Sequence, residues 1–309
     1  MRAVVVRDKA LVLGDVEEPV PSRDEALVEV RALSLNRGEL RMAASKPDGA
    51  RIGWDVAGVV TRAAADGSGP PVGARVAAFL HRADAWAERI AAPTRALAVI
   101  PDGVSDEVAA ALPVAGLTAL RGLDKGVRVT GRRVAITGAT GGVGGFAVQI
   151  ARAMGACVVA QVRRREQIAQ VKALGAHEIV VSEDASGMVQ HGPYAVVFDG
   201  LGGEAMRNLV KTLDRDGVLV TYGGTAGYTT EFGVFELPRR GSIYGFSLYQ
   251  ETDEEAGGVS LRRLLAMVER GLIEVEIGHR GSWEDIGEAA QALLDRAYSG
   301  KGVLTVRGA

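Results

Sequence analysis

Cysteine is almost missing: the chain of 309 residues has one, Cys157. An internal disulfide and any metal site built from several thiolates are therefore excluded. Aromatic residues are scarce, at 5%, so Val, Leu, Ile and Ala have to fill most of the interior. Charge of one sign does not dominate either. A formal net charge of −2 gives no electrostatic reason to expect nucleic acid or an acidic membrane surface as partner. No stretch reaches the ~18 uninterrupted apolar residues of a membrane span. Asp8 and Lys9 interrupt the first apolar run, which is unlike a signal peptide, so a cytoplasmic protein is expected. Tyrosine is absent before Tyr194, and the four histidines (His81, His177, His191 and His279) show no ligand spacing. Each histidine reads as a surface or satisfied polar residue, and Cys157 as a core residue of a strand.

What is present suffices for real cores. Hydrophobic residues make up 47%, and the length suits two domains. The first hundred residues look β-rich. Apolar runs at Ala3–Val6, Ala26–Val30, Val56–Val60 and Arg75–Phe79 are punctuated by Gly, Pro, Asp and Ser, as in a small antiparallel barrel or sandwich. After Pro113 strand and helix signals alternate. Arg133–Thr137, Cys157–Val162, Glu178–Val181, Ala195–Phe198, Val218–Tyr222 and Ser242–Phe246 read as strands. Helical spacing of Val143, Phe146, Ala147, Ile150, Ala151 and Met154 follows the first, and Glu166–Leu174 and Glu204–Leu213 are further helices. Such βαβ repetition predicts an α/β, doubly wound parallel sheet. Leu261–Arg270 and Trp283–Tyr298 are helix candidates and Gly302–Val306 a closing strand. With six parallel strands already in place, these last elements are assigned back to the first domain.

The stretch Val134–Ala156 holds the central motif. Gly138, Gly141 and Gly144 form GxxGxxG between a strand and an amphipathic helix. Small residues are needed there for a tight turn, for backbone approach to a pyrophosphate, and for close packing of helix on strand. The helix N-terminus adds partial positive charge. Thr140, Gly142 and Val143 complete the candidate phosphate turn. An NAD site usually carries an acid at the end of the second strand, about 20 residues on, to hold the ribose 2′-hydroxyl. Here the strand ends without one, and Arg163, Arg164 and Arg165 follow. Arg163 and Arg164 can pair with a 2′-phosphate, which favours NADPH over NADH. The competing interpretation is a solvated basic helix start beside Glu166.

Further segments carry a family resemblance. They are Leu33–Glu39 (LSLNRGE), Gly53–Val60 (GWDVAGVV), Val72–Val76 (VGARV), Ala110–Ala119 (AALPVAGLTA), Phe198–Gly203 (FDGLGG) and Tyr222–Gly227 (YGGTAG). With the glycine turn, they make the chain resemble, over nearly its whole length, a zinc-free medium-chain dehydrogenase/reductase of the quinone oxidoreductase, or zeta-crystallin, type. The resemblance implies a Rossmann doubly wound parallel sheet inserted between the two parts of a GroES-like β-rich catalytic domain. The catalytic domain would span 1–113 and 251–309, and the dinucleotide-binding domain 114–250. The cofactor is expected in the cleft between them. The resemblance puts Asn36 and Thr118, the candidate catalytic residues, at the nicotinamide end, Trp54 in the substrate cleft, Gly223 and Gly224 along the cofactor, and Phe246 and Ser247 beside the nicotinamide amide. Phe246 is equally compatible with a core role. Arg41–Arg51 and Phe79–Glu88 are expected to shape the substrate pocket.

Two departures refine the reading. Zinc-dependent relatives use Cys and His where this chain has Asn36 and Trp54, so no zinc is expected. Without a Lewis acid, reduction of a conjugated acceptor, a quinone or an α,β-unsaturated carbonyl, is the easier chemistry. The segment between Arg41 and Gly53 lacks the proton-donating Tyr usual in enoyl-thioester reductases of the superfamily. That argues against a mitochondrial-type enzyme and leaves a polyketide-type enoyl reductase open. A short-chain dehydrogenase is disfavoured, because no Tyr has a Lys four residues later. A non-catalytic NADPH-binding protein also stays open, since fold does not imply function. The apolar, late Ser242–Phe246 strand and the resemblance together point to a homodimer.

Overall fold

The computed structural model describes residues 1–126 and 128–306. Two compact units divide the chain: Met1–Leu117 with Thr252–Gly271 and Val275–Ala309, and Thr118–Glu251 with Leu272–Glu274. The division falls four residues later than the expected 113/114 boundary on the N-terminal side and one later on the other, and it moves 272–274 into the second unit. Residues 307–309 of the expected C-terminal part lie outside the described residues.

The first unit opens with an antiparallel pair, β1 (Arg2–Arg7) and β2 (Ala10–Asp15). Then come β3 (Glu25–Leu35), α1 (Arg37–Ala43), β4 (Asp55–Arg62), β5 (Arg75–Phe79), β6 (Arg89–Pro93), β7 (Leu97–Val99), α2 (Asp106–Ala110) and α3 (Pro113–Asp124), which crosses the division after Leu117. The second unit follows with β8 (Arg133–Ile136), α4 (Gly142–Ala153), β9 (Cys157–Val162), α5 (Ile168–Ala173), β10 (Glu178–Val181), β11 (Tyr194–Asp199), α6 (Gly203–Val210), β12 (Leu213–Thr221) and β13 (Ser242–Gly245). The remainder is α7 (Leu248–Glu254), α8 (Gly257–Glu269), β14 (Ile277–Ser282), α9 (Ile286–Leu294) and β15 (Lys301–Thr305). No helix among the described residues is long and apolar enough to cross a membrane.

In the first unit the main sheet runs β14-β15-β3-β4-β5-β7, with β6 also paired to β3. All its pairings are antiparallel except β14 with β15. Alternating side chains of β3 and β4, such as Val28, Val30, Val56 and Val60, enter a core with Trp86, Trp283 and Ile286. This is period-2 burial of a β-rich domain. β15, from the end of the chain, lies against β3, which brings the last strand next to residues 32–35.

The second unit has the strand order β10-β9-β8-β11-β12-β13, and every pairing is parallel. This is the doubly wound order, with its switch point between β8 and β11. Every strand therefore ends on the same edge of the sheet.

Several elements differ from expectation. β14 has a polar sequence with two glycines, and its partner β15, not its pattern, makes it a strand. The helix expected at Trp283–Tyr298 starts as a 3₁₀ turn and ends at Leu294, because Arg296 takes a left-handed conformation (φ 57°). α6 stops at Val210 rather than Leu213, where β12 already begins. Cys157, expected in the core, is only half-buried at the first position of β9.

Candidate functional site

The second unit builds its candidate site from backbone. After β8 the chain turns at Gly138, whose φ of 61° suits glycine, and enters α4 with Gly141 as N-cap. A Cβ on Gly144 would lie 2.2 Å from the Gly138 carbonyl oxygen, so glycine is required for helix and turn to meet. At Gly141 the same atom would lie 3.4 Å away, an ordinary contact that leaves the space over the helix start open. The first-turn N–H groups at Gly142, Val143 and Gly144 have no acceptor within an α-helix. With the helix dipole they form a cradle that fits the pyrophosphate of a dinucleotide.

Two glutamines fix this turn, and neither was singled out from sequence. Gln161, fully buried on β9, accepts from the Gly138 N–H at 2.8 Å and donates to the Ser182 carbonyl oxygen. Gln167 accepts from the N–H groups of Arg163 and Arg164, each at 3.1 Å, and donates to Thr140 Oγ1 at 3.3 Å. Arg163 and Arg164 are exposed on the turn after β9. The only cue in the sequence for Gln167 is its position three residues after Arg164, where a capping-box side chain falls.

Beyond the switch point, Asp199 ends β11. Its carboxylate accepts from Thr137 Oγ1 at 2.7 Å, from the Leu201 N–H at 3.2 Å and from the Gly202 N–H at 2.9 Å. Burial pushes this acid above its ordinary pKa, while those three donors pull it back. The Thr225 and Ala226 N–H groups bond the Gly200 and Leu201 carbonyl oxygens, so the turn holding Gly223 and Gly224 lies on the turn after β11. Phe246 is buried and donates its N–H to the Thr221 carbonyl oxygen at 2.8 Å; Ser247 follows it at the end of β13. The glycine turn, Arg163, Arg164, Gly223, Gly224, Phe246 and Ser247 thus all follow strand ends on one edge of the sheet. Thr118 is buried on α3, at the first position of the second unit.

The first unit builds its candidate site from charged side chains. Asn36, at the corner between β3 and α1, donates from Nδ2 to Asp55 Oδ2 at 2.8 Å and approaches Glu39 Oε2 at 3.4 Å. Its Oδ1 accepts from Lys301 Nζ at 2.5 Å, so the amide orientation is fixed by a cation on one side and carboxylates on the other. Glu39 accepts from the Trp54 N–H at 2.6 Å and from the Asn36 N–H at 2.8 Å. Asp55 Oδ1 accepts from the Val114 N–H at 2.9 Å, the first donor of α3 after Pro113, and Oδ2 lies 3.4 Å from Lys301 Nζ. Glu39 and Asp55 are fully buried and Lys301 is 3% exposed. Burial and then the Asp55 charge lift Glu39 well above the usual carboxylate range, against the pull of Lys301. Asp55 is also raised by burial, opposed by Lys301, Asn36 and the Val114 N–H. Sequence reasoning found Asn36 but missed Glu39, Asp55 and Lys301 as its partners.

Trp54 is 9% exposed and tilts against Phe79, with ring centroids 6.3 Å apart. In the same unit a cavity of about 280 Å³ is lined by Phe79, Leu80, His81, Arg82, Arg95 and Asp253, among others. Phe79–Arg82 thus shape a pocket, while no residue of Arg41–Arg51 lines it. The histidines are dispersed. His177 Nδ1 accepts from the Val158 N–H, His191 pairs with Glu178, His279 stacks on Tyr298, and His81 lies 3.8 Å from Asp253. Among the described residues no group of three or more His, Cys, Asp or Glu is arranged to hold a metal.

A family model described as zinc-binding dehydrogenase matches residues 142–262, a stretch that excludes both Asn36 and Trp54. A quinone oxidoreductase of Pseudomonas aeruginosa is 28% identical over 307 residues, covering 94% of each chain. An acryloyl-coenzyme A reductase of Metallosphaera sedula is 25% identical over 99% of this chain and 100% of its own. A mycobacterial protein solved in complex with NADPH superposes with a TM-score of 0.86 at 26% identity, over 99% of both chains. With the strand order and the glycine turn described above, these similarities support a protein similar to the quinone oxidoreductases of the medium-chain dehydrogenase/reductase type.

Proposed function

We propose that this protein is an NADPH-dependent reductase that works without zinc and delivers hydride to a conjugated acceptor, a quinone or an α,β-unsaturated carbonyl. The observation that carries the reading is the exposed Arg163–Arg164 turn after an acid-free strand, on the same sheet edge as the glycine turn. Two guanidinium groups there suit a 2′-phosphate through charge-assisted bonds. The nicotinamide, when bound, supplies the hydride. The chain's part is to hold and orient: Gly138–Gly144 receive the pyrophosphate, Gly223 and Gly224 leave room along the cofactor, and Phe246, Ser247 and Thr118 meet its nicotinamide end. Asn36 acts in this reading as a positioning residue, because its amide is committed to Asp55, Glu39 and Lys301. Trp54 and the neighbouring cavity are the proposed acceptor side.

A thioester of an unsaturated acid is the second reading. It is favoured by the full-length similarity to the acryloyl-coenzyme A reductase and by the arginines of the cavity. In either case the protein is read as a cytoplasmic homodimer joined along β13, whose outer edge has no strand partner among the described residues.

The test is a titration of NADPH and NADH, followed by NADPH consumption with quinones, enones and unsaturated thioesters. The double variant Arg163→Ala/Arg164→Ala should lose on the order of 1.5–3 kcal/mol in NADPH affinity with little change for NADH. Equal affinity of the wild type for both cofactors would overturn the cofactor assignment. Binding of NADPH without turnover on any acceptor class would make the protein a cofactor-binding partner rather than an enzyme.

A further inference from the structure

We propose that Gln167 sets the protein's preference for a 2′-phosphorylated cofactor without touching the cofactor itself. The inference rests on the reading of Arg163 and Arg164 as the 2′-phosphate site and adds what fixes their place. Three hydrogen bonds of one carboxamide carry it. Its oxygen takes the N–H groups of Arg163 and Arg164, both at 3.1 Å, and its nitrogen reaches Thr140 Oγ1 at 3.3 Å. A planar amide is rigid, so this side chain ties the turn after β9 to the turn after β8.

The tie has two consequences. First, the backbone N–H groups of Arg163 and Arg164 are already taken, so what these two residues offer an arriving anion is their guanidinium groups. Second, those long side chains start from a backbone held at a set distance from the glycine turn. A 2′-phosphorylated dinucleotide carries two anionic groups, its pyrophosphate and its 2′-phosphate, at a spacing fixed by its own covalent frame. A site that binds both gains only if the two turns keep the matching spacing, as preorganisation requires. A cofactor without the 2′-phosphate has one anionic anchor and is indifferent to that spacing. Loosening the tie therefore weakens NADPH more than NADH.

A helix-capping role alone makes a different forecast. Gln167 occupies the capping-box position of the short helix start at Arg165. Losing only a cap lowers thermal stability and weakens both cofactors alike, and Thr140 would not matter to their ratio.

The experiment measures dissociation constants of NADPH and NADH for the full chain, wild type and variants, beside thermal melts. Gln167→Ala should lower the NADH-to-NADPH ratio of dissociation constants about tenfold, the scale of one or two neutral hydrogen bonds. Thr140→Val cuts the same tie from the other end and leaves the cap intact, so it should lower the ratio in the same direction. The double variant should do no more than Gln167→Ala alone, the non-additivity expected of one shared interaction. A wild-type ratio near one overturns the cofactor reading beneath the inference. A high wild-type ratio that survives both Gln167→Ala and Thr140→Val overturns the role of Gln167 and leaves that reading standing.

Discussion

The two units build their candidate sites by different means. In the second, the glycine turn is made of backbone, and its requirements are conformational: a left-handed Gly138, and a Gly144 that leaves 2.2 Å between a Cβ and a carbonyl oxygen. In the first, the corner at Asn36 is made of side chains: two carboxyls and an ammonium that are buried, and a half-buried amide between them. The first kind of assembly is broken by adding an atom, the second by removing a charge. The second kind also depends on pH, because its buried acids sit above their ordinary range.

The largest expected effect comes from Lys301→Met, which leaves Asp55 and Glu39 buried without their cation. Breaking a buried pair in this way costs about 3–5 kcal/mol. The sign of the pH dependence follows from the direction of the shifts. An acid raised in the folded state keeps its proton over a range where the unfolded chain has released it. Stability therefore falls as pH rises from the ordinary carboxylate range through the raised folded value. Losing the ammonium lifts both acids further, so the loss should be greater near pH 8 than near pH 5 in urea unfolding. An equal loss at both would mean that the ammonium does not compensate the two acids, and the contrast between the units would fail.

A smaller effect is expected on the backbone side. Gly144→Ala forces a Cβ against the Gly138 carbonyl and should cost about 1–3 kcal/mol, with loss of cofactor binding. Gly141→Ala should melt closer to wild type, since its Cβ meets the same oxygen only at 3.4 Å and its φ is negative. Neither loss should vary with pH in the way Lys301→Met does. If Gly141→Ala proved the more damaging to stability, the assignment of close packing to Gly144 would be wrong.

The smallest effect concerns the open edge at β13. Ser242 is exposed on that strand, and Ser242→Lys would set like charges near one another across a two-fold axis. Sedimentation velocity should show the dimer weakened by about two- to fivefold with no change in thermal melting. A wild type that stays monomeric at micromolar concentration removes the dimer from the proposed function.

The contrast also explains what could be read in advance. A backbone site announces itself locally: Gly138, Gly141 and Gly144 stand close together between a strand and a helix, and the parallel sheet follows from the alternation around them. The Asn36 corner draws its partners from 39, 55 and 301; Glu39 stands at the capping-box spacing from Asn36, but no spacing rule connects either to 55 or 301. Lys301 stands alone near the end of the chain, and Glu39 looks like a solvated residue in a charged helix. Their roles appear only when β15 lies against β3 and α3 meets Asp55. β14 was hidden for a similar reason, being polar and glycine-bearing, with its strand character supplied by β15. Gln161 and Gln167 were hidden because a glutamine on a strand or at a helix start is ordinary until its amide is seen to span two turns.

The pairing of β15 with β3 bears on the order in which the molecule can assemble. During synthesis the N-terminal sheet emerges first, but one side of β3 waits for a strand that lies beyond the whole second unit. Until residue 301 has left the ribosome, Asp55 and Glu39 have no ammonium to bury beside. The second unit needs nothing later than Glu274. Domains fold as units as they emerge, so the inserted unit is complete first, and the unit that begins the chain is the last to close.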